Sequence, residues 1–233
     1  MKRSVAGIWL ARVLMTLFAV LCSPLTADAQ DAPEYKLELG AGAGTVTYLG
    51  DLNGNLFRGV QPWLAAVTKL KMNPRMALAL TLGYGKLKGN SDNAGTWYPM
   101  ERYEFDSEAI ELGLRYEYNF WPYGTGREYR GARRFTPFIT LGLGGLYHGG
   151  NEKGITADIP LGAGVKYKLG ERLNLAAEWR MHFALGDKLD GLKDPYGIQS
   201  SGMFKNTDCL SIIQVSLTYD LWEKCSTCHS DRD

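Results

Sequence analysis

From residue 155 to 169 every second position is apolar: Ile155, Ala157, Ile159, Leu161, Ala163, Val165, Tyr167 and Leu169. The positions between them, Thr156, Asp158, Gly162, Gly164, Lys166 and Lys168, are small or polar. A period of two is the mark of a β-strand with two unlike faces. After Gly170-Glu171-Arg172 the pattern restarts: Leu173, Leu175, Ala177, Trp179, Met181 and Phe183 alternate with Asn174, Ala176, Glu178, Arg180 and His182. The two runs therefore read as a tight hairpin. Residues 76–87 carry Met76, Leu78, Leu80, Leu82 and Tyr84 on one face. Residues 109–120 place Ile110, Leu112, Leu114, Tyr116, Tyr118 and Phe120 opposite Glu111, Gly113, Arg115, Glu117 and Asn119. Further strands are predicted over 35–47, 57–70, 134–147 and 208–222.

These segments make eight strands of about ten or more residues, long enough to cross a hydrocarbon layer when tilted. No stretch after the N-terminal leader holds the roughly 18 uninterrupted apolar residues that a spanning helix needs. Connections alternate in length. Asn73-Pro74-Arg75 and Gly170-Glu171-Arg172 are short, whereas 48–56, 88–103 and 186–207 are long. Short turns belong on the periplasmic side of a bacterial barrel. The predicted fold is all-β: an eight-stranded antiparallel transmembrane β-barrel of the outer-membrane type. Residues 120–133 break the length rule, being long, glycine-rich and basic on the side where turns are short.

A soluble sandwich or lipocalin-like barrel would also alternate, but it would turn its apolar face inward and solvate the other. The face opposite the aliphatic one carries glycines and isolated charges, among them Glu38, Glu111, Arg115, Asp158, Lys166, Glu178 and Arg180. That composition suits a narrow polar lumen in which the charges neutralise one another, and it disfavours an open pore. Tyr35, Tyr84, Tyr116, Tyr118, Tyr147, Tyr167 and Tyr219 stand near strand ends, as interfacial girdles do.

At the N-terminus Lys2, Arg3 and Arg12 flank an apolar run from Val13 to Leu21, and Ala27 and Ala29 are spaced for cleavage. Residues 1–29 are read as a signal peptide removed on export. Residues 30–222 then form one barrel, and 223–233 form a periplasmic C-terminal tail. Loss of the leader leaves the remainder close to neutral and slightly acidic, so no nucleic-acid partner is implied.

Few residues suggest chemistry. His182 and His148 have no nucleophile or metal-ligand spacing beside them, and no enzyme activity is expected. The glycine runs Gly40-Ala41-Gly42-Ala43-Gly44 and Gly142-Leu143-Gly144-Gly145 lie within strands, with no helix pattern after them, so they read as packing features rather than phosphate loops. The tail Cys225-Ser226-Thr227-Cys228-His229 has the spacing of covalent haem attachment. A haem there would lack an apolar pocket and a second axial ligand, so no cofactor is expected. A disulfide between Cys225 and Cys228, or a tail that meets a partner, is the expectation instead. Cys209 starts the last strand at the other end from Cys225, so these two are not expected to pair.

Three stretches carry a family resemblance. They are Leu37-Glu38-Leu39-Gly40-Ala41-Gly42-Ala43-Gly44-Thr45-Val46-Thr47-Tyr48-Leu49-Gly50-Asp51-Leu52-Asn53, then Arg134-Phe135-Thr136-Pro137-Phe138, then Tyr219-Asp220-Leu221-Trp222-Glu223-Lys224-Cys225. Together they resemble the PorG-like outer-membrane barrels. The resemblance spans nearly the whole exported chain and rests on strand patterns and turns. It implies a structural, non-catalytic component of the type IX protein secretion machinery, with outer-membrane lipid and a periplasmic ring lipoprotein as partners. Ring contacts are then expected through the 120–133 segment and its border, by Arg127, Arg130, Arg133 and Arg134, or through the tail after Trp222. A barrel that binds at the cell surface through its long loops, and a lipid-modifying barrel enzyme, are the alternatives.

Overall fold

The computed structural model describes residues 33–49, 55–90, 104–126, 132–149, 153–185 and 209–223. The predicted signal peptide, Arg127, Arg130, Cys225 and Cys228 lie outside them. The described residues form eight strands in chain order: β1 (Tyr35–Leu49), β2 (Gln61–Asn73), β3 (Met76–Asn90), β4 (Glu104–Asn119), β5 (Phe135–Gly149), β6 (Gly154–Lys168), β7 (Leu173–Ala184) and β8 (Cys209–Glu223). Each pairs antiparallel with the next. β8 closes on β1 from Tyr35↔Glu223 to Leu49↔Cys209, so the sheet is a closed barrel. Closure removes both sheet edges and leaves the backbone hydrogen-bonded within the wall, which lipid requires.

The register turns the sequence alternation into an inside and an outside. Between β3 and β4, Leu80↔Leu114, Leu82↔Leu112 and Tyr84↔Ile110 face out, whereas Ala79↔Arg115, Thr81↔Gly113 and Gly83↔Glu111 face in. Leu82, Leu112, Leu114, Trp179, Ile213 and Val215 are exposed, while Glu38, Glu111, Glu117, Arg180 and Asp220 are buried. This arrangement is the inverse of a soluble barrel. An exterior of that kind is stable only against lipid. On that wall the Trp179 indole N–H donates to Ser211 Oγ at 3.0 Å, so its polar atom has a partner where water is absent.

The apolar belt has the height of a bilayer core. On β4 it runs from Ile110 to Phe120, and ten strand steps of about 3.3 Å tilted by about 40° rise roughly 25 Å. Tyr84 and Tyr147 mark its upper edge. Tyr118, Phe120, Trp121 and Phe135 mark its lower edge, with Tyr118 and Phe120 edge to face at 5.9 Å and Trp121 tilted against Phe135 at 5.8 Å.

Several strand limits differ from the alternation. β3 and β4 stay paired to Asn90↔Glu104, past the strand limits expected at 87 and 109 and into the first residues of the loop expected over 88–103. Above Tyr84 the outward positions become Lys86, Lys88, Asp106 and Glu108, with Lys88 and Asp106 3.1 Å apart. The ladder continues in water after the hydrophobic signal has ended. β2 begins at Gln61 rather than residue 57, because Phe57 N–H donates to Asn55 Oδ1 at 3.0 Å and Gly59 takes a positive φ of 70° in a turn. Tyr35 leaves the expected girdle. It is buried at the lower rim, with the Lys168 ammonium 5.3 Å and the Arg172 guanidinium 5.5 Å from its ring.

The two-residue Pro74-Arg75 turn, the 169–172 turn and both described chain ends share this lower rim. Short turns identify it as the periplasmic end. The 120–134 connection lies there too.

Candidate functional site

The lumen is filled in layers. Nearest the periplasm, β1 supplies Glu38, β2 Lys69 and Lys71, β4 Glu117, β6 Lys166 and Lys168, and β8 Asp220, each at an inward position of the period-two pattern. Lys69 donates to Glu117 Oε2 at 2.8 Å, and Lys166 takes the other oxygen of the same carboxylate. Lys71 lies 3.1 Å from Glu38 Oε2 and also pairs with Asp220, whose second oxygen accepts from Lys168. Thr218 donates its hydroxyl to Glu38. Glu117 and Asp220 thus each join a lysine of β2 to one of β6 and tie the wall across its interior.

The charged groups of the next layer come from β4, β6 and β7. Arg115 meets Glu178 Oε1 at 2.6 Å and donates to Thr81 Oγ1 at 2.7 Å, while Thr140 donates to the same Glu178 oxygen at 2.9 Å. Arg180 donates to Gln214 Oε1 at 3.0 Å. His182 Nδ1 lies 2.6 Å from Asp158 Oδ2, and its Nε2 faces Glu111 Oε1 at 3.8 Å. Among the described residues Glu111 is the least satisfied group in the lumen, since neither of its oxygens accepts a hydrogen bond from them. Among the described residues no three of His, Cys, Asp or Glu are placed to hold a metal ion.

Above the charges, the outer mouth is closed by Val46, Tyr48, Trp63, Leu87, Leu146, Leu210 and Ile212, all buried in one apolar cluster. Trp63 lies flat across β3 because a side chain is missing there. A Cβ on Gly83 would stand 2.1 Å from the indole. Gly40, Gly44 and Gly142 likewise leave room for backbone or side chains that approach within 3 Å of where a Cβ would be, in keeping with the packing role expected for them. Gly145 faces open space.

At the opposite mouth, the connection that breaks the length rule folds back under the barrel. Tyr123 N–H donates to Pro74 O at 2.9 Å, and Tyr123 pairs in a parallel bridge with Arg133. Its buried ring sits 4.4 Å from the Lys166 ammonium, 5.7 Å from that of Lys168 and 5.8 Å from that of Lys71. The phenol donates to Asn174 Oδ1 at 2.8 Å. Burial, reinforced by the Glu38, Asp220 and Glu117 carboxylates, pushes its ionisation upward, so it remains a neutral donor. Thr125 is held from the other side, its N–H and hydroxyl donating to the two oxygens of Glu34 at 3.0 and 2.8 Å.

The lumenal charges expected to neutralise one another, Glu111, Arg115, Lys166, Glu178 and Arg180, do share the interior, although Glu111 is 3.8 Å from Arg180. Lys69, Lys71 and Asp220 were not anticipated, yet the same alternation marks them, since they alternate with Leu70, Met72, Tyr219 and Leu221. Tyr123 carried no such signal, because Trp121-Pro122-Tyr123-Gly124 reads as an ordinary loop. Two of the four candidate partner-binding arginines are described. Arg133 is exposed with its guanidinium 5.1 Å from the Trp121 ring, and Arg134, also exposed, donates from Nε to Thr125 O at 2.9 Å. Neither meets a carboxylate among the described residues.

A closed antiparallel barrel with an apolar exterior, interfacial aromatics and an internally paired charged lumen is an outer-membrane β-barrel, with the outer membrane as its location. The chain belongs to the DUF6089 family, described as a domain of unknown function, which it matches over residues 11–230. No curated protein matches it. Among solved structures it is similar to the outer membrane protein OprG from Pseudomonas aeruginosa, at 13% identity and a TM-score of 0.50, over 84% of this chain and 100% of that one. Ail, the attachment invasion locus protein of Yersinia pestis, solved with the heparin analogue sucrose octasulfate, is similar at 10% identity and 0.47, over 81% and 99%. Neisserial surface protein A is similar at 15% identity and 0.45, over 79% and 97%. At these identities the likeness is one of fold.

Proposed function

We propose that this barrel is a non-catalytic component of the type IX protein secretion machinery that anchors a periplasmic lipoprotein ring to the outer membrane. The resemblance of residues 37–53, 134–138 and 219–225 to PorG-like barrels supplies the system. The observation that carries an anchoring role is the 120–134 connection. Where a barrel needs only a short turn, this chain places residues 120–126 and 132–134, which are held by Tyr123 into the lumen and by Glu34 at their flank. A locked element presents a partner with a fixed shape, which lowers the ordering cost of association. Arg133 and Arg134 stand on it without counter-charges among the described residues, next to Arg127 and Arg130 in the sequence, so an acidic surface is the complementary contact.

The test is affinity capture of the tagged barrel from cross-linked outer membranes, with and without Arg127→Glu, Arg130→Glu, Arg133→Glu and Arg134→Glu combined. The reading expects a periplasmic ring lipoprotein with the wild type and at least a several-fold loss with the variant, at unchanged barrel insertion. A wild-type barrel captured without any periplasmic partner overturns it and favours a surface-binding role. Equal capture by the variant removes the arginines and leaves the tail after Trp222 as the contact.

A further inference from the structure

On one side of the periplasmic rim two arginines flank the dipeptide Phe120-Trp121, where β4 leaves the apolar belt. Arg75, in the β2–β3 turn, is anchored twice: its N–H donates to Asn73 Oδ1 at 2.8 Å and its Nη1 to Phe120 O at 3.3 Å. Arg133 approaches from the returning chain, its N–H donating to Pro122 O at 2.7 Å and its guanidinium lying 5.1 Å from the Trp121 ring. Both side chains are exposed, and neither meets a carboxylate among the described residues. The lumenal cations, by contrast, all have acidic partners. Arg172, across the rim, pairs with Glu223 at 2.8 Å.

The level of the pair is set by the belt. Phe120, Trp121 and Phe135 are exposed on the outer wall at its lower edge, roughly 25 Å below Ile110. Aromatic rings of that kind sit at the headgroup level, and groups just beneath them meet phosphates rather than acyl chains. A guanidinium stacked on a ring keeps its in-plane N–H donors free, and the fork matches two oxygens of a phosphate. Arg75 spends one of its five donors on the Phe120 carbonyl. The remaining donors of the two arginines have no counter-charge among the described residues and lie at the depth of the phosphodiesters.

We propose that Arg75 and Arg133, with Trp121 and Phe120, form a binding site for the phosphodiester of a glycerophospholipid in the periplasmic leaflet, whose acyl chains lie along the β4–β5 wall. The lipid site shares Arg133 with the four candidate ring contacts but not Arg134, which is turned toward Thr125. The site does not depend on the secretion reading, since a barrel that captures no ring retains it.

The test is native mass spectrometry of the full barrel in neutral detergent, titrated with phosphatidylglycerol. Wild type is expected to hold a lipid that survives excess inorganic phosphate. Arg75→Gln with Arg133→Gln should weaken retention at least about fivefold. Arg134→Gln should leave it unchanged. Should the double glutamine variant fail to fold, Arg75→Lys with Arg133→Lys keeps both charges without the fork and is expected to lose retention in the same direction. The proposal is overturned if the glutamine or lysine pair retains lipid as wild type does, if Arg134→Gln loses as much, or if inorganic phosphate displaces the lipid. Loss of ring capture by the glutamine pair with lipid retention unchanged would assign the arginines to an acidic protein instead.

Discussion

Glu117 and Glu111 stand on the same strand and point into the same lumen, but their surroundings differ. Glu117 accepts from Lys69 and Lys166, drawn from two other strands, so losing its charge leaves two buried ammonium groups short of a counter-ion. Breaking a buried pair from one side costs about 3–5 kcal/mol. Glu111 accepts no hydrogen bond from the described residues, and Arg180 and His182 are each 3.8 Å away. Its carboxylate therefore contributes far less to holding the wall together. Glu117→Gln should lower the unfolding free energy in urea by about 3 kcal/mol or more, and Glu111→Gln by about 1 kcal/mol or less. Equal losses would mean that the lumen acts as one undifferentiated charge pool. A period-two reading places both residues inside, but it cannot rank them. Their difference depends on which strands the register sets opposite each other.

At the scale of elements, the wall was legible and the periplasmic connection was not. A strand in lipid must be apolar on every second residue, so 155–169 and 173–183 announce themselves to within a residue of β6 and β7. Where the wall rises out of lipid that constraint lapses. β3 and β4 continue through Lys88, Asp106 and Glu108, beyond the 76–87 and 109–120 limits that alternation sets. Tyr35 and Tyr123 are aromatic near strand ends, as girdle residues are, and only the three-dimensional path of the chain turns them under the lysines of the lumen. The 120–134 element depends on one backbone position above all. Gly126 has a φ of 80°, and a Cβ there would stand 2.8 Å from Arg134 Cγ. Gly126→Ala should cost about 1–2 kcal/mol of left-handed strain. The expected result is faster hydrogen exchange at the Tyr123 and Gly124 amides, with exchange within β4 unchanged. Unaltered exchange at those amides would show that Tyr123 and Glu34 hold the element without that turn.

For the whole molecule, the decisive feature is that the barrel is shut at both mouths and filled between them. Glu38, Glu111, Glu117, Asp158, Glu178 and Asp220 are balanced by Lys69, Lys71, Arg115, Lys166, Lys168 and Arg180, with His182 among them. The apolar cluster around Trp63 caps the outer end, and Tyr123 closes the periplasmic one. A barrel of eight strands has only enough interior for its own side chains, and ion pairs that bind opposite walls oppose the widening a conduit would need. Work of an anchoring kind is then left to the rims, which is where the 120–134 connection lies with Arg133 and Arg134, neither of which meets a carboxylate among the described residues. The measurement that tests this most directly is the conductance of the purified barrel in a planar bilayer at neutral pH, beside a Tyr123→Ala, Trp63→Ala variant that opens both mouths. A sealed anchor predicts no steady current from the wild type under conditions where insertion is confirmed. A stable, ohmic, ion-selective conductance from the wild type would contradict it and make the lumen, rather than the rim, the functional part of the protein.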